Sequence, residues 1–337
     1  MFARIVLALS ALVFVLSCGT ISTGPSSSMT VATLNLEGGG RHLGESEQET
    51  AQRYFRIAHQ YFMPAEGLWN LVGLTELRYR RDQPNSLSHV ALESLQFNCG
   101  PYAGNTVGYG ADCFGKHTHA VVAKTDRGLG YNANFEFELI PDSFRNSHIG
   151  EQRATIIHRT VMGARFRARY WDGIVVPFYV VHISSTGDED RQRAELRDLI
   201  DLLHSWYVPG DMPPVVVGDF NCHNWTQSLQ QLILNEFADV TAGLNEVMRI
   251  LVSRPQHYPS AALRWQSPHS GDARLHDLGG TAYTDHSAVA ATLRVDRTGS
   301  SGLSWPPPTA PADKLVPDPF SPSGLKIVRA NCPTTVD

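Results

Sequence analysis

The chain predicts an α+β fold in which two mixed β-sheets pack face to face with helices outside, a four-layer α/β/β/α sandwich. Short apolar runs that read as strands recur along most of the chain, interleaved with amphipathic helical stretches. Between residues 120 and 181 four strand candidates follow one another with few helix signals, which points to mixed, partly antiparallel pairing. Of the 337 residues, 42% are hydrophobic and 18% charged, so a large core is available and a single domain with tails accommodates the length.

Residues 30–34 open the fold as a strand, and a helix follows over 47–62, where Ala51, Tyr54, Phe55, Ala58 and Phe62 keep helical spacing. Residues 68–75 form the next strand, 87–95 a short helix, and the Gly-rich stretch 98–115 a surface loop. Strands are predicted over 120–124, 135–140, 154–161 and 175–181. Residues 191–206 form the clearest helix, with Leu196, Leu199, Ile200, Leu203 and Trp206 on one stripe. Pro209 to Pro214 stops it before a strand over 213–217; a helix over 225–234 and strands over 249–252 and 287–293 complete the domain. Beyond Asp296 the chain turns rich in Pro, Gly and Ser and reads as an extended tail, with 326–328 as a short edge strand held by Cys332.

The strands finish on chemistry. Residues 30–34 lead into Asn35 and Glu37, 68–75 into Glu76, 174–181 into His182, and 213–217 into Gly218-Asp219-Phe220-Asn221. Asp285-His286 precedes the last apolar run. A buried strand that ends on a carboxylate, amide or imidazole delivers a polar group to the mouth of a sheet rather than to its core.

In this order, Asn35, Glu76, His182, Asp219 with Asn221, and Asp285 with His286 resemble the signature of the endonuclease/exonuclease/phosphatase superfamily of metal-dependent phosphodiesterases, the DNase-like fold. The resemblance spans roughly residues 29–294. It implies a divalent cation, Mg2+ or another such as Mn2+ or Ca2+, held first by Glu76 with Asn35, Glu37 and Asp285 in support; a hard cation of this kind prefers oxygen ligands. It implies that His286 is the general base for the attacking water and that Asp219 orients that water or holds the His tautomer. Asn221 would donate to the developing phosphorane charge, and His182 would contact the scissile phosphate or protonate the leaving group. Arg153 is a further phosphate contact, and Lys116, His117 and His119 form a candidate basic ridge. The superfamily also places an Asp ahead of a short strand before the final Asp-His, where it pairs with an active-site His; Met248 occupies that place here, leaving Asn245, Glu246 or Asp277 to substitute. His257, His269 and His276 lack metal-ligand spacing and receive no role.

His182-Ile183-Ser184-Ser185 looks more like secreted DNases and the catalytic subunits of cytolethal distending toxins than like abasic-site repair enzymes, which makes a nucleic-acid substrate the leading expectation. A sphingomyelinase-like phospholipid phosphodiesterase is the alternative, with Trp265 or Tyr102 as aromatic groups able to reach a bilayer. A toxin-like or binding subunit weakened in catalysis is the third reading, resting on Met248. The formal charge of −5 supplies no global attraction to a polyanion, so the basic patch or the metal must do so locally.

The first 18 residues read as an export signal: Arg4 is a basic n-region, residues 5–16 an apolar h-region, and Val15-Leu16-Ser17-Cys18 resembles a bacterial lipobox with Cys18 as the lipidated residue. Residues 19–28 follow as a flexible linker, 29–296 as the domain and 297–337 as the tail. The expected location is extracellular, or lipid-anchored at a bacterial cell envelope. With Cys18 lipidated, Cys99, Cys113, Cys222 and Cys332 allow three pairings, among them Cys99 with Cys113 and Cys222 with Cys332.

Overall fold

The computed structural model describes residues 28–36, 45–57, 70–76, 120–123, 137–140, 142–150, 159–168, 172–184, 189–222, 226–244, 247–266, 272–276, 287–296, 314–317 and 325–328. Two mixed sheets dominate. The first contains β1 (Ser28–Asn35), β2 (Leu71–Thr75), β3 (Ala120–Ala123), β11 (Arg264–Trp265), β12 (Ala273–His276) and β13 (Ala288–Asp296), in the order β11-β13-β1-β2-β3 with β12 also pairing β13. The second contains β4 (Phe137–Leu139), β5 (Arg145–Ile149), β6 (Arg159–Ala168), β7 (Val175–His182), β8 (Val215–Asp219), β9 (Phe237–Asp239) and β10 (Met248–Ser253), in the order β4-β6-β7-β8-β10-β9 with β5 on β6.

Each sheet has one parallel pair at its centre, β1 with β2 and β7 with β8, and antiparallel neighbours elsewhere. A parallel pair needs a crossover. Helix α1 (Glu47–Ile57) lies in the first crossover and α2 (Glu189–Trp206) in the second, while α3 (Gln227–Glu236) follows β8. Both parallel pairs therefore point their C-terminal ends the same way relative to their helices, and those ends carry Asn35, Glu76, His182 and Asp219.

Strict alternation sorts the side chains. Met29, Val31, Leu71, Phe178, Val180, Val215, Val217, Ile250 and Val289 fill the space between the sheets, and Tyr179, Val181, Val216 and Leu251 face Leu196, Leu199, Leu203, Leu229 and Ile233 of α2 and α3. Gly73 on β2 lets the sheets approach closely: a Cβ there would meet Val217 Cγ2 and Val180 Cγ2 of the opposite sheet.

Most expected elements are present with shifted ends. The strand expected over 154–161 is a ten-residue strand, β6, running to Ala168, because Gly163 is not a break: it packs under Phe178 O and the Tyr179 ring. Within the added length, Arg165 makes a two-pronged pair with buried Asp211 at 2.6 and 2.8 Å. The strand expected over 213–217 is β8, displaced to include Gly218 and Asp219, and the helix expected over 225–234 starts at Gln227 behind a Thr226 cap. Strands β5, β9, β11 and β12 have no apolar alternation of their own and exist by pairing with longer neighbours. The tail strand over 325–328 is β15 (Leu325–Val328), which pairs with β14 (Lys314–Pro317) in a separate two-stranded sheet rather than on the edge of the sandwich. Trp265 is buried, its Nε1 donating to Pro213 O at 2.8 Å, so it is not available to a bilayer. The helix over 87–95, the loop over 98–115 and Tyr102 lie outside the described residues, as do residues 1–27 with the export signal. Among the described residues no helix is long and apolar enough to cross a membrane.

Replacing Gly73 by Val is expected to cost roughly 2 to 3 kcal/mol through overpacking, read as a lowered urea midpoint with an unchanged m-value.

Candidate active site

Asp219 and His182 are register partners at the ends of parallel strands β8 and β7. Their neighbours on alternate positions, Val217 and Val180, line the inter-sheet core, so both polar side chains emerge at the top of that core. Asn35 does the same from the opposite sheet, on the face of β1 that buries Met29 and Val31. The two sheets meet there: Asn35 Nδ2 donates to Asp219 Oδ2 at 2.9 Å. Asp219 is 1% exposed, and a carboxylate so placed needs donors. Its second oxygen accepts the Asn221 backbone N–H at 2.8 Å.

Gly218 permits this register. Its φ of +147° suits glycine, and a Cβ would collide with the carbonyl oxygen of Val181 on β7. Without that close approach His182 and Asp219 could not sit side by side. Ile183 N donates to Asp219 O at 2.8 Å, and Asn221, at φ +50°, turns its Nδ2 onto Ile183 O at 2.7 Å. Asn221 thus ties the turn after β8 to the segment after β7.

Glu76 arrives differently. By alternation from Leu71 it would point away from the inter-sheet space, but its backbone is left-handed, φ +54°, and the side chain comes within 3.7 Å of His182 Nε2. A non-glycine residue in this region costs of order 1 to 3 kcal/mol and persists where surroundings hold it. His182 Nε2 also lies 3.9 Å from Asp219 Oδ2.

The tautomer of His182 follows from its other nitrogen. Nδ1 faces Arg159 Nη1 at 3.3 Å, and a guanidinium only donates, so Nδ1 accepts and Nε2 carries the proton. That N–H points between the Glu76 and Asp219 carboxylates at distances too long for a direct hydrogen bond to either. Burial pulls the Arg159 pKa down, while the charges of Glu195, Glu76 and Asp219 oppose the shift. A guanidinium stays charged in proteins, so it is the fixed counter-charge of the site. Its Nε is buried without a hydrogen-bond partner.

Glu195 at the start of α2, fully buried, accepts from the Ser184 backbone N–H at 2.8 Å, the Ser184 hydroxyl and Arg191 Nε. Gln192 Nε2 donates to Ser184 O at 2.8 Å. The first turns of α2 therefore clamp the chain just after His182.

The structure brings together Asn35, Glu76, His182, Asp219 and Asn221. Glu37, His119, Arg153, Asp285 and His286 lie outside the described residues, as do Asn245, Glu246 and Asp277. Met248, in the place of the expected Asp, is the register partner of Asp219 and is fully buried with Ile250 and Val252 in the inter-sheet core. It walls Asp219 with thioether and methylene rather than with a second acid. Cys222 is disulfide-bonded and buried; Cys18, Cys99, Cys113 and Cys332 lie outside the described residues. Sequence reasoning missed Arg159 and Glu195. Arg159 is one of three arginines in β6 and Glu195 sits beside the Leu196 stripe, so the sequence marks neither off from its neighbours.

Glu76, His182 and Asp219 each offer one ligand atom, and these lie within 4.8 Å of one another. With the His182 proton on Nε2, the two carboxylates and the Asn35 amide are the donors left for a cation, an oxygen set that fits a hard divalent ion.

No protein-family model and no curated protein matches the sequence. Solved structures do. They include the endonuclease/exonuclease/phosphatase from Bacteroides vulgatus, at 15% identity and TM-score 0.52 over 80% of this chain and 100% of that one. The endonuclease/exonuclease/phosphatase from Beutenbergia cavernae matches at 12% identity and TM-score 0.49, over 80% of this chain and 72% of that one. Sphingomyelinase C from Streptomyces griseocarneus matches at 15% identity and TM-score 0.46, over 79% and 99%. The chain has the endonuclease/exonuclease/phosphatase fold, the class its strand-end residues resemble.

Gly218→Ala is expected to destabilise the protein by about 3 kcal/mol or more, since it combines a backbone clash with unfavourable φ; a thermal melt checks this.

Proposed function

We propose that the chain is a metal-dependent phosphodiester hydrolase, most plainly a DNase-like endonuclease. The observation that carries the reading is the meeting of Asn35, Glu76, His182 and Asp219 from two sheets around a donor N–H flanked by carboxylates.

Glu76 is the principal ligand for a Mg2+-like cation, with Asn35 and Asp219 beside it; Asp219 is the weaker donor because both its oxygens already accept hydrogen bonds. When bound, such an ion neutralises charge on the scissile phosphate, worth several kcal/mol. His182 presents its Nε2 proton to a phosphate oxygen or to the leaving oxygen, and Arg159 holds the tautomer that makes this donation available. Asp219, held by Asn35 and the Asn221 N–H, orients a water on the far side of the phosphate. His286 as base, Asp285 and Glu37 as support, and Arg153 and His119 as phosphate contacts complete the proposal on the family pattern of the sequence. Nucleic acid is the proposed substrate, and export with lipidation at Cys18 the proposed route, resting on Arg4, the apolar residues 5–16 and the lipobox-like Cys18.

Purified protein is expected to hydrolyse bis-p-nitrophenyl phosphate with Mg2+, to lose activity with chelator and to regain it on adding Mg2+ back. His182→Ala and Glu76→Gln should each lower kcat by about 100-fold or more. Plasmid nicking without sphingomyelin release supports the nuclease reading; the reverse result assigns a phospholipid phosphodiesterase. No turnover of any of these substrates, with the fold intact by circular dichroism, refutes hydrolysis.

Arg159→Met is expected to release the His182 tautomer, changing the pH profile of kcat more than KM; a uniform loss at all pH values would reduce Arg159 to a packing role.

A further inference from the structure

A second cluster of metal-ligating side chains sits at the other end of the second sheet. His204 lies in the last turn of α2, Glu236 is the last residue of α3, and His257 ends a short 3-10 turn (Pro255–His257). Glu236 leads into β9, whose Phe237 pairs with Ser253 at the end of β10, beside the Pro214 that precedes β8. Asp219 ends the same β8, so the two clusters are separated by about the length of that strand, roughly 13 Å at the usual rise.

The hydrogen bonds orient this cluster for a cation. His257 Nε2 lies 2.9 Å from the Asn235 carbonyl oxygen, which only accepts, so Nε2 donates. Its Nδ1 is thereby turned toward Glu236 Oε2 at 3.7 Å. In the neutral ring that places a nitrogen lone pair against a carboxylate oxygen, two acceptors facing one another. Glu236 is buried and held by the Tyr258 hydroxyl, which donates to Oε1 at 3.0 Å, and by His204 Nε2 at 2.9 Å from the same oxygen. Burial and the Glu236 charge push the Tyr258 pKa up, so the phenol stays a donor. The His204 and His257 rings are near parallel, with centroids 6.1 Å apart.

We propose that His204, Glu236 and His257 form a second metal site, for Zn2+ or a similar borderline transition ion, distinct from the oxygen-rich site at Glu76. His204 Nε2, a Glu236 oxygen and His257 Nδ1 all lie within 4.8 Å of one another. A tetrahedral Zn2+ with bonds of about 2.0 to 2.1 Å needs ligand atoms about 3.4 Å apart, within reach of small side-chain rotations. Two imidazoles and one carboxylate with a fourth position open to water is a known zinc donor set. A ligating His usually donates its other ring N–H to a backbone carbonyl or carboxylate, as His257 does here. To ligate, His204 would turn the Nε2 that now faces Glu236 Oε1 to the metal as an acceptor nitrogen. The carbonyl ends of α2 and α3 both approach the site, and helix C-termini favour a cation. Sequence spacing alone assigned His257 no metal role, because its partners are 53 and 21 positions away along the chain. The inference stands independently of the proposed hydrolysis.

The test uses the full chain, stripped of metal and titrated with Co2+, then with Zn2+ followed by dialysis and metal analysis. Wild type and Glu76→Gln are expected to bind one Co2+ with the visible absorption of a four-coordinate ion, displaced by one Zn2+. His204→Gln/His257→Gln should lose that band and weaken Zn2+ binding by about 100-fold or more, while keeping activity with Mg2+. His257→Gln alone, which leaves the His204 and Tyr258 bonds to Glu236, separates ligand loss from misfolding and should also lose the band. The proposal is overturned if wild type binds no Co2+ or Zn2+ beyond what Glu76→Gln removes, in which case the cluster is a proton-mediated ion pair. It is equally overturned if the double variant binds like wild type.

Discussion

A carboxylate at the mouth of the inter-sheet space governs this protein's architecture. Asp219 is almost fully buried, so its carboxylate depends on donors that are themselves fixed. One comes from the opposite sheet, Asn35, and one from the turn that follows, Asn221. The cross-sheet bond joins the strand ends that the apolar packing brings near but does not lock. A hydrogen bond to a charged group in such a place is worth about 1.5 to 3 kcal/mol. It also sets where β1 ends relative to β8, and hence where Glu76, one residue past the register of Asn35, can reach.

The same demand explains two local departures from ideal geometry. Glu76 and Asn221 both adopt left-handed backbone, and each uses it to turn a side chain toward a neighbouring strand. Gly218 admits β7 and β8 to van der Waals contact, so that the imidazole of His182 and the carboxylate of Asp219 come level. Arg159 contacts His182 Nδ1 and decides which ring nitrogen faces the carboxylates. Glu195, which accepts from Ser184 and is clamped beside Arg191, extends this order into α2.

Both candidate metal-binding clusters are tied to α2, one at each end of the helix. Its first turns support the segment after His182, and its last turn carries His204 to Glu236 and His257. The hydrophobic stripe Leu196, Leu199 and Leu203 fixes the helix against Val181, Val216 and Leu251 between these two ends. The donor sets differ as their surroundings do. The strand ends supply oxygen-rich groups around a buried guanidinium, and the helix ends supply imidazoles at the surface.

Amino-acid pattern by itself determined the layer architecture, because apolar alternation and amphipathic periodicity are local properties that burial rewards wherever the elements pack. It also determined Asn35, Glu76, His182 and Asp219 as candidates, since a polar residue closing an apolar strand is visible without knowing its neighbours. The edge strands β5, β9, β11 and β12 were not legible, because their residues are held by pairing and not by any pattern of their own. Nor were Arg159, the tautomer it imposes on His182, the inward turn of Glu76, the burial of Trp265 and Met248, or the meeting of His204 with His257. Each depends on which segments distant in sequence share a surface, and that is decided only when the two sheets and α2 have packed.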